Sequence, residues 1–233
     1  MDFREPSVYQ ALTFDCYGTL VDWRNGLLSS LRDCPALAGA PWDEAVFLKD
    51  RMVEEARLEA EPWRPYREIV AVSVQGALSR QGFILPDGEA QAVAEGIGDW
   101  SPFADTCEAL KSLGQGRRLC LVSNVDAVDL GKSVEKLGVE FTTLVTAEEV
   151  RSYKPDPAHF HEVLQRLELP RHEVLHVAQS LYHDVVPVAR MGLDAAWINR
   201  LGEALPQGAG PRFQFSDLAG LARHLGPGDP HEE

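Results

Sequence analysis

The chain is poor in several features that would assign it to large functional classes. Basic residues are few: 22 Lys and Arg face 36 Asp and Glu, leaving a formal charge of −14 on 233 residues. That balance argues against broad binding to nucleic acid or to an anionic membrane surface. No apolar run approaches the roughly 20 residues a membrane span needs, and the opening MDFREPSVYQ is too polar for a secretory signal. A cytoplasmic location is therefore expected. Cysteine is scarce as well. Cys16, Cys34, Cys107 and Cys120 form no CxxC pair, so free thiols are expected rather than a disulfide framework or a zinc site. Glycine-rich nucleotide loops, an HExxH pattern and internal repeats are also missing, which removes support for nucleotide-cofactor and zinc-protease chemistry.

What is present, at 45% hydrophobic and 25% charged, is the composition of a globular protein. The segment Tyr9 to Asp15 is a β-rich apolar run ending in an acid. Similar runs close on polar residues at Arg117 to Asn124, Phe141 to Ala147, Glu173 to Ser180 and Asp194 to Arg200. Between them lie helical patterns at roughly 127–137, stopped by Gly138, 158–167, with Pro170 beyond, and 185–191, stopped by Gly192. Strand alternating with helix predicts an α/β fold, a Rossmann-like parallel sheet covered on both faces. From about 25 to 100 the rhythm changes to helices alone, at roughly 43–61, 65–81 and 88–96, punctuated by Pro41, Pro62 and the turn ILPDG. The expected organisation is a catalytic core over 1–24 and 101–225, a helical cap over 25–100 inserted after the first strand, and a loose tail over 226–233.

Ligands of open parallel sheets bind beyond the carboxyl ends of the strands. The residues found there are Asp15, then Ser123 and Asn124, then Gln179 and Ser180 with Asp184 close behind, and Lys154 in the proline-flanked loop SYKPDP. Singly, each has an ordinary role as a cap, a turn former or a solvated charge. Together they bring a carboxylate, a hydroxyl, an amide and an ammonium to one sheet edge, a set sufficient for nucleophilic catalysis.

DCYGT at Asp15 to Thr19, the pair Ser123-Asn124, Lys154 before Pro155, and Asp184 in SLYHD resemble the four ordered motifs of the haloacid dehalogenase superfamily. The resemblance covers nearly the whole chain and is strongest to type II L-2-haloacid dehalogenases, which place Tyr rather than Asp two residues after the nucleophile. SLYHD and WINR also resemble a hydrolase of that branch that opens the ring of azetidine-2-carboxylate. The resemblance implies that Asp15 is the nucleophile, kept ionised by Lys154, Thr19, Ser123 and the backbone N–H groups of Cys16 to Gly18, with Asp184 orienting Lys154 or water. Cys16, Tyr17, Asn124, Gln179, Ser180 and His183 would contact a small anionic carboxylic acid. No cofactor is implied, because Tyr17 and Gln179 stand where phosphatases carry carboxylates. The alternative is a Mg²⁺-dependent phosphatase binding metal through Asp15, Tyr17 and Asp184, and a further one is a non-catalytic binding relative. A homodimer is left open.

The chain departs from the dehalogenase pattern in three places, having Gln179 for a usual serine, Leu181 for asparagine and Phe160 for tyrosine. The arginine that the cap should contribute is open among Arg51, Arg57, Arg64 and Arg67, with Lys49 nearest the expected spacing. Trp23 and Trp100 are expected to pack the hinge, and His176 to be a satisfied core histidine. The site is expected to be a positive exception on a negative surface.

Overall fold

A computed structural model describes residues 8–205 and 210–228 of the chain. The apolar runs form β1 (Ala11–Phe14), β2 (Arg118–Ser123), β3 (Thr143–Thr146), β4 (Val174–Ala178) and β5 (Asp194–Ile198). A three-residue edge strand, β6 (Phe213–Phe215), completes one parallel sheet in the order β3-β2-β1-β4-β5-β6. Both β1 and β4 are buried along their whole length, which is why they read as continuous apolar runs rather than as alternating patterns. Alternate side chains feed two different layers. Leu119 and Leu121 join the layer containing α5 (Thr106–Leu113), α6 (Ala127–Leu137) and α10 (Leu218–Leu225), whereas Cys120 and Val122 join that of α8 (Ala158–Leu167) and α9 (Val186–Arg190). The chain leaves β1 toward β2 and β3 on one side and later returns to β4 on the other. A crevice at such a switch point, beyond the carboxyl ends of β1 and β4, is where ligands of these sheets bind.

Between β1 and α5 run α1 (Trp23–Arg32), α2 (Glu44–Glu59), α3 (Tyr66–Arg80) and α4 (Asp87–Glu95). Asp22 and Asp43 start α1 and α2 by accepting backbone N–H groups of the first turn, the usual work of an acid at that position. Helices α2, α3 and α4 agree with the expected spans. Helix α1 runs across the boundary expected after residue 24, and its glycine and two serines hide it from a propensity reading. Gly26 has a packing reason, because a Cβ there would lie 2.3 Å from the Trp100 ring.

Three local expectations are corrected. The helix expected at 185–191 is preceded by a π-helical turn, Leu181–Val185, and becomes regular only at Val186. Neither β6 nor α10 was expected, since FQF is too short to show a period. Residues 226–228 are not loose: Gly228 N–H donates to the Gln115 carbonyl at 2.6 Å, and Arg117 Nη1 donates to the Gly226 carbonyl at 2.7 Å. The rest of the expected tail, 229–233, lies outside the described residues. All four cysteines are free, and no helix among the described residues is long and apolar enough to cross a membrane.

Candidate active site

Parallel register sets Phe14 opposite both Leu121 and Val177. The next residues on each strand therefore meet at one edge: Asp15 after β1, Ser123-Asn124 at the end of β2, and Gln179-Ser180 just past β4. The loop after β3 adds Lys154. These residues line a cavity of about 360 Å³, whose other wall comes from Trp23, Arg24, Arg51, Glu55 and Glu59.

At its base lies a three-member charge cluster. Lys154 Nζ donates to Asp15 Oδ1 at 2.8 Å, to Asp184 Oδ1 at 2.8 Å and to the Val122 carbonyl at 3.0 Å. All three ammonium protons are thus placed, and the side chain is almost fully buried. Against the effect of burial, the two carboxylates hold the Lys154 pKa above its ordinary value. Burial raises the Asp15 carboxyl above its ordinary value, with Lys154 pulling the other way. Although burial opposes it, Lys154 and His176 hold Asp184 well below the usual carboxylate range. Thr19 Oγ1 donates to Asp15 Oδ2 at 2.7 Å and accepts from Gln179 N–H at 2.8 Å. His176 stands between Thr13 Oγ1 at 2.9 Å and Asp184 Oδ1 at 3.2 Å. It is a core histidine as expected, and it also fixes Asp184. The second carboxylate oxygen of Asp184 is buried with no hydrogen-bond partner among the described residues.

The loop after Asp15 turns sharply at Gly18, whose φ of 101° suits glycine. The Gly18 N–H, expected as a donor toward Asp15, donates instead to the Val21 carbonyl at 2.8 Å. Cys16 is fully buried in the core and does not reach the cavity, a correction to its expected substrate contact that follows from side chains alternating along the loop. Tyr17 does line the cavity, but its hydroxyl is within 2.7 Å of Ser133 Oγ on α6. Burial pushes that hydroxyl well above the ordinary tyrosine value, so it is unsuited to proton transfer.

The donor set does not fit Mg²⁺. Mg²⁺ sites are built on one or two carboxylates free to ligate, completed by water or substrate phosphate, yet Oδ1 of both carboxylates already faces an ammonium, the Tyr17 hydroxyl is bonded to Ser133, and Gln179 is neutral. No three His, Cys, Asp or Glu side chains are grouped to hold a metal ion among the described residues.

Helix α2 supplies the opposite wall. Arg51, Glu55 and Glu59 recur every four residues and so share one face. Arg51 is buried, donates through Nη1 and Nη2 to the two oxygens of Glu55 at 3.0 and 2.6 Å, and stacks 5.1 Å from the Trp23 ring centroid. Although burial opposes it, Glu55 and Tyr66 hold its pKa above the ordinary arginine value. Arg51 is thus the one of the five cap cations that reaches the cavity. Arg57 and Arg64 pair with nearby glutamates, Arg67 pairs with Asp129 on α6 at 2.7 Å, and Lys49 is not in the lining. The helix in fact turns residue 51 inward and 49 aside.

The remaining expected residues fall as follows. Asn124 accepts the Lys154 N–H at 2.8 Å and donates to Glu59 Oε1 at 3.0 Å, tying the lysine loop to α2. Ser123 lines the cavity, with its hydroxyl accepting the Val125 N–H at 3.2 Å rather than meeting Asp15. Ser180 accepts the His183 N–H at 3.0 Å, and His183 Nε2 is 3.1 Å from Glu59 Oε2. Trp100 packs edge-on against Tyr17, with ring centroids 6.0 Å apart, and both Trp100 and Trp23 line the cavity. Glu55, Glu59 and His159 were not expected. The signal for the glutamates is the four-residue spacing with Arg51, which puts all three on one helix face. His159 gave no signal. Burial and the Lys154 charge lower its pKa to about 3, and its Nε2 lies 3.2 Å from the Ser123 carbonyl.

The cavity is also not the positive exception that was expected. Its lining holds the carboxylates Asp15, Glu55, Glu59, Asp184 and Glu203 against the permanent cations Arg24, Arg51 and Lys154.

A family model for haloacid dehalogenase-like hydrolases matches residues 9–192. The chain is 27% identical over 210 residues to haloacetate dehalogenase H-2 of Moraxella sp. strain B, covering 88% of this chain and 92% of that protein. It is 24% identical over 223 residues to an (S)-2-haloacid dehalogenase of Pseudomonas putida, covering 93% and 96%. Among solved structures it superposes with a TM-score of 0.77, at 20% identity and over 92% and 97% of the two chains, on the L-2-haloacid dehalogenase from Xanthobacter autotrophicus with chloropropionic acid covalently bound. With four-fifths of the chain matched and the ordered residues gathered at one sheet edge, the protein belongs to the haloacid dehalogenase-like hydrolases.

Proposed function

We propose that this hydrolase attacks C2 of a small 2-substituted carboxylic acid with Asp15, displacing halide or a ring nitrogen and forming an aspartyl ester that water then hydrolyses. The observation that carries the reading is the Lys154 ammonium fixed between Asp15 and Asp184. A desolvated carboxylate is a strong nucleophile only while ionised, and an adjacent buried cation favours that form. Thr19 orders the second oxygen of Asp15, which leaves the carboxylate one defined orientation. The named activities of the relatives, acting on haloacetate and (S)-2-haloacids, support substrates of this size.

In this reading the helices after β1 act as a cap closing over the strand ends, and the Arg51 Nε–H, which has no hydrogen-bond partner among the described residues, donates to the substrate carboxylate. The buried, unpartnered oxygen of Asp184 accepts a hydrogen bond from the hydrolytic water. Four free thiols support a reducing, cytoplasmic setting. Multiple turnovers with chloro- or bromoacetate in ¹⁸O-water should place the label in Asp15, read by mass spectrometry of the Asp15 peptide. Asp15→Asn should lose turnover by about 10⁴-fold or more. Undiminished turnover of that variant, or a release activity that vanishes with chelator and returns with Mg²⁺, would sink the reading.

A further inference from the structure

The α2 wall poses a problem for any displacement at C2. Attack from Asp15 sends the leaving group away from the sheet edge, toward α2. What it meets there carries both signs, Glu55 and Glu59 beside Arg51 and Arg24. Both guanidinium arms of Arg51 are bonded to Glu55, so the one buried cation of that wall is already paired with an anion. Glu59 stands one turn further on, with its side chain 5% exposed. A bare anion departing into this wall passes beside Glu55 and Glu59 as well as the cations.

Glu59 is not isolated. Oε1 accepts from Asn124 Nδ2 at 3.0 Å, and Oε2 lies 3.1 Å from His183 Nε2. The other ring nitrogen, His183 Nδ1, is 3.2 Å from the Ser180 hydroxyl, which can donate to a neutral imidazole or accept from an imidazolium. The ring can therefore gain or lose a proton without losing a hydrogen bond. His183 is 27% exposed at its side chain, so the pair reaches from solvent into the cavity. Glu59 is also the last residue of α2, where the helix dipole disfavours a bare carboxylate. The charged groups around the pair are Glu55 on the same helix, Lys154, and Asp184 beside His183, with the neutral Tyr66 hydroxyl on α3 bonded to Glu55.

We infer that Glu59 and His183 form a proton-donating pair for a poor leaving group, either fluoride or an amine nitrogen. This rests on the reading of Asp15 as the nucleophile. In the first step Asp15 Oδ forms a bond to C2, and the electron pair of the C2–X bond goes to X. The proton shared by Glu59 Oε2 and His183 Nε2 moves to X. In the second step water adds to the Asp15 carbonyl carbon. One of its protons ends on the hydroxyl of the released 2-hydroxy acid and the other returns to the pair, so Asp15 is regenerated as a carboxylate. Glu59 meets the leaving atom; His183 acts through Glu59 as a positioning and recharging residue.

The test compares leaving groups on the whole enzyme. Fluoroacetate, chloroacetate, bromoacetate and azetidine-2-carboxylate are assayed with wild type, Glu59→Gln and His183→Gln, the glutamine in each case keeping a hydrogen bond without a titratable acid or base. The expected result is a loss in kcat/KM of about a hundredfold for fluoroacetate, azetidine-2-carboxylate or both, about tenfold or more beyond the loss on bromoacetate; whichever of the two shows the excess loss identifies fluoride or nitrogen. Bromoacetate turnover also reports that each variant is folded. Equal loss on every substrate, no loss on any, or a wild type active on neither fluoroacetate nor azetidine-2-carboxylate would overturn the pair. Asp15→Asn, run in parallel, keeps the two readings apart: its retained turnover defeats the nucleophile assignment, whatever the pair variants do.

Discussion

The two walls of the cavity use similar residues to opposite ends. At the sheet edge, two carboxylates share one ammonium, and every donor of Lys154 points at a named acceptor. Strand ends hold these groups, so their geometry is as rigid as the sheet. On α2, by contrast, Arg51 and Glu55 close on each other beside Tyr66, as do Glu59 and His183 beside Asn124, leaving two separate charge pairs rather than one shared centre. A cluster with one carboxylate in excess retains a nucleophile; a set of closed pairs retains orientation and an exchangeable proton. Net charge therefore says little about either wall, since what matters is which groups have already found partners.

The comparison is broken most severely by removing its central cation. Lys154→Met would leave two buried carboxylates facing each other, and we expect turnover to fall by about 10³-fold or more and stability by about 3–5 kcal/mol, read by steady-state kinetics and denaturant unfolding. Adding Asp184→Asn should return much of the stability but none of the activity. Next in size is the acid limb of the first step. Burial raises the Asp15 carboxyl, so its ionised form is lost as pH falls through a value above the ordinary carboxylate range. Alkylation measured in a single turnover with bromoacetate should then drop about tenfold per pH unit below that value.

On the α2 wall, Arg51→Lys keeps the charge and loses the planar fork that meets both oxygens of Glu55. A rise of about tenfold in KM with kcat little changed is expected; a fall in kcat with KM unchanged would place Arg51 in the chemistry rather than in binding. The smallest effect should come from a position joining the walls without touching their charges. Gly26→Ala puts a methyl group against Trp100, costing about 1–3 kcal/mol by overpacking, and the pH profile of turnover should stay as in wild type.

Asp15, Ser123, Asn124, Lys154 and Asp184 could all be found because each ends or follows an apolar run, and strand ends are where a parallel sheet gathers chemistry. The α2 wall was only half legible. Spacing of 51, 55 and 59 marks one helix face, yet nothing local says that this face, rather than that of Arg57 or Arg64, turns toward the sheet. Cys16 went astray for the same reason: proximity in sequence to Asp15 does not reveal which way the side chain leaves the loop. β6 and the π-helical turn at Leu181–Val185 were hidden because neither carries a full period of its own.

By itself the sequence determined the alternation of buried strands with helices, the helical segment after β1, and the order in which the polar residues arrive. Those follow from hydrophobic period and chain order, which are local properties. Only the tertiary structure decided that Lys154 joins Asp15 to Asp184, that Arg51 is the inward cation, and that Glu59 meets His183 across 124 residues of chain. Such partnerships depend on how elements pack and on which donors are already satisfied. The low basic content excluded nucleic acid from the sequence alone; folding placed the few cations so that two of them, Lys154 and Arg51, are buried against carboxylates at the cavity.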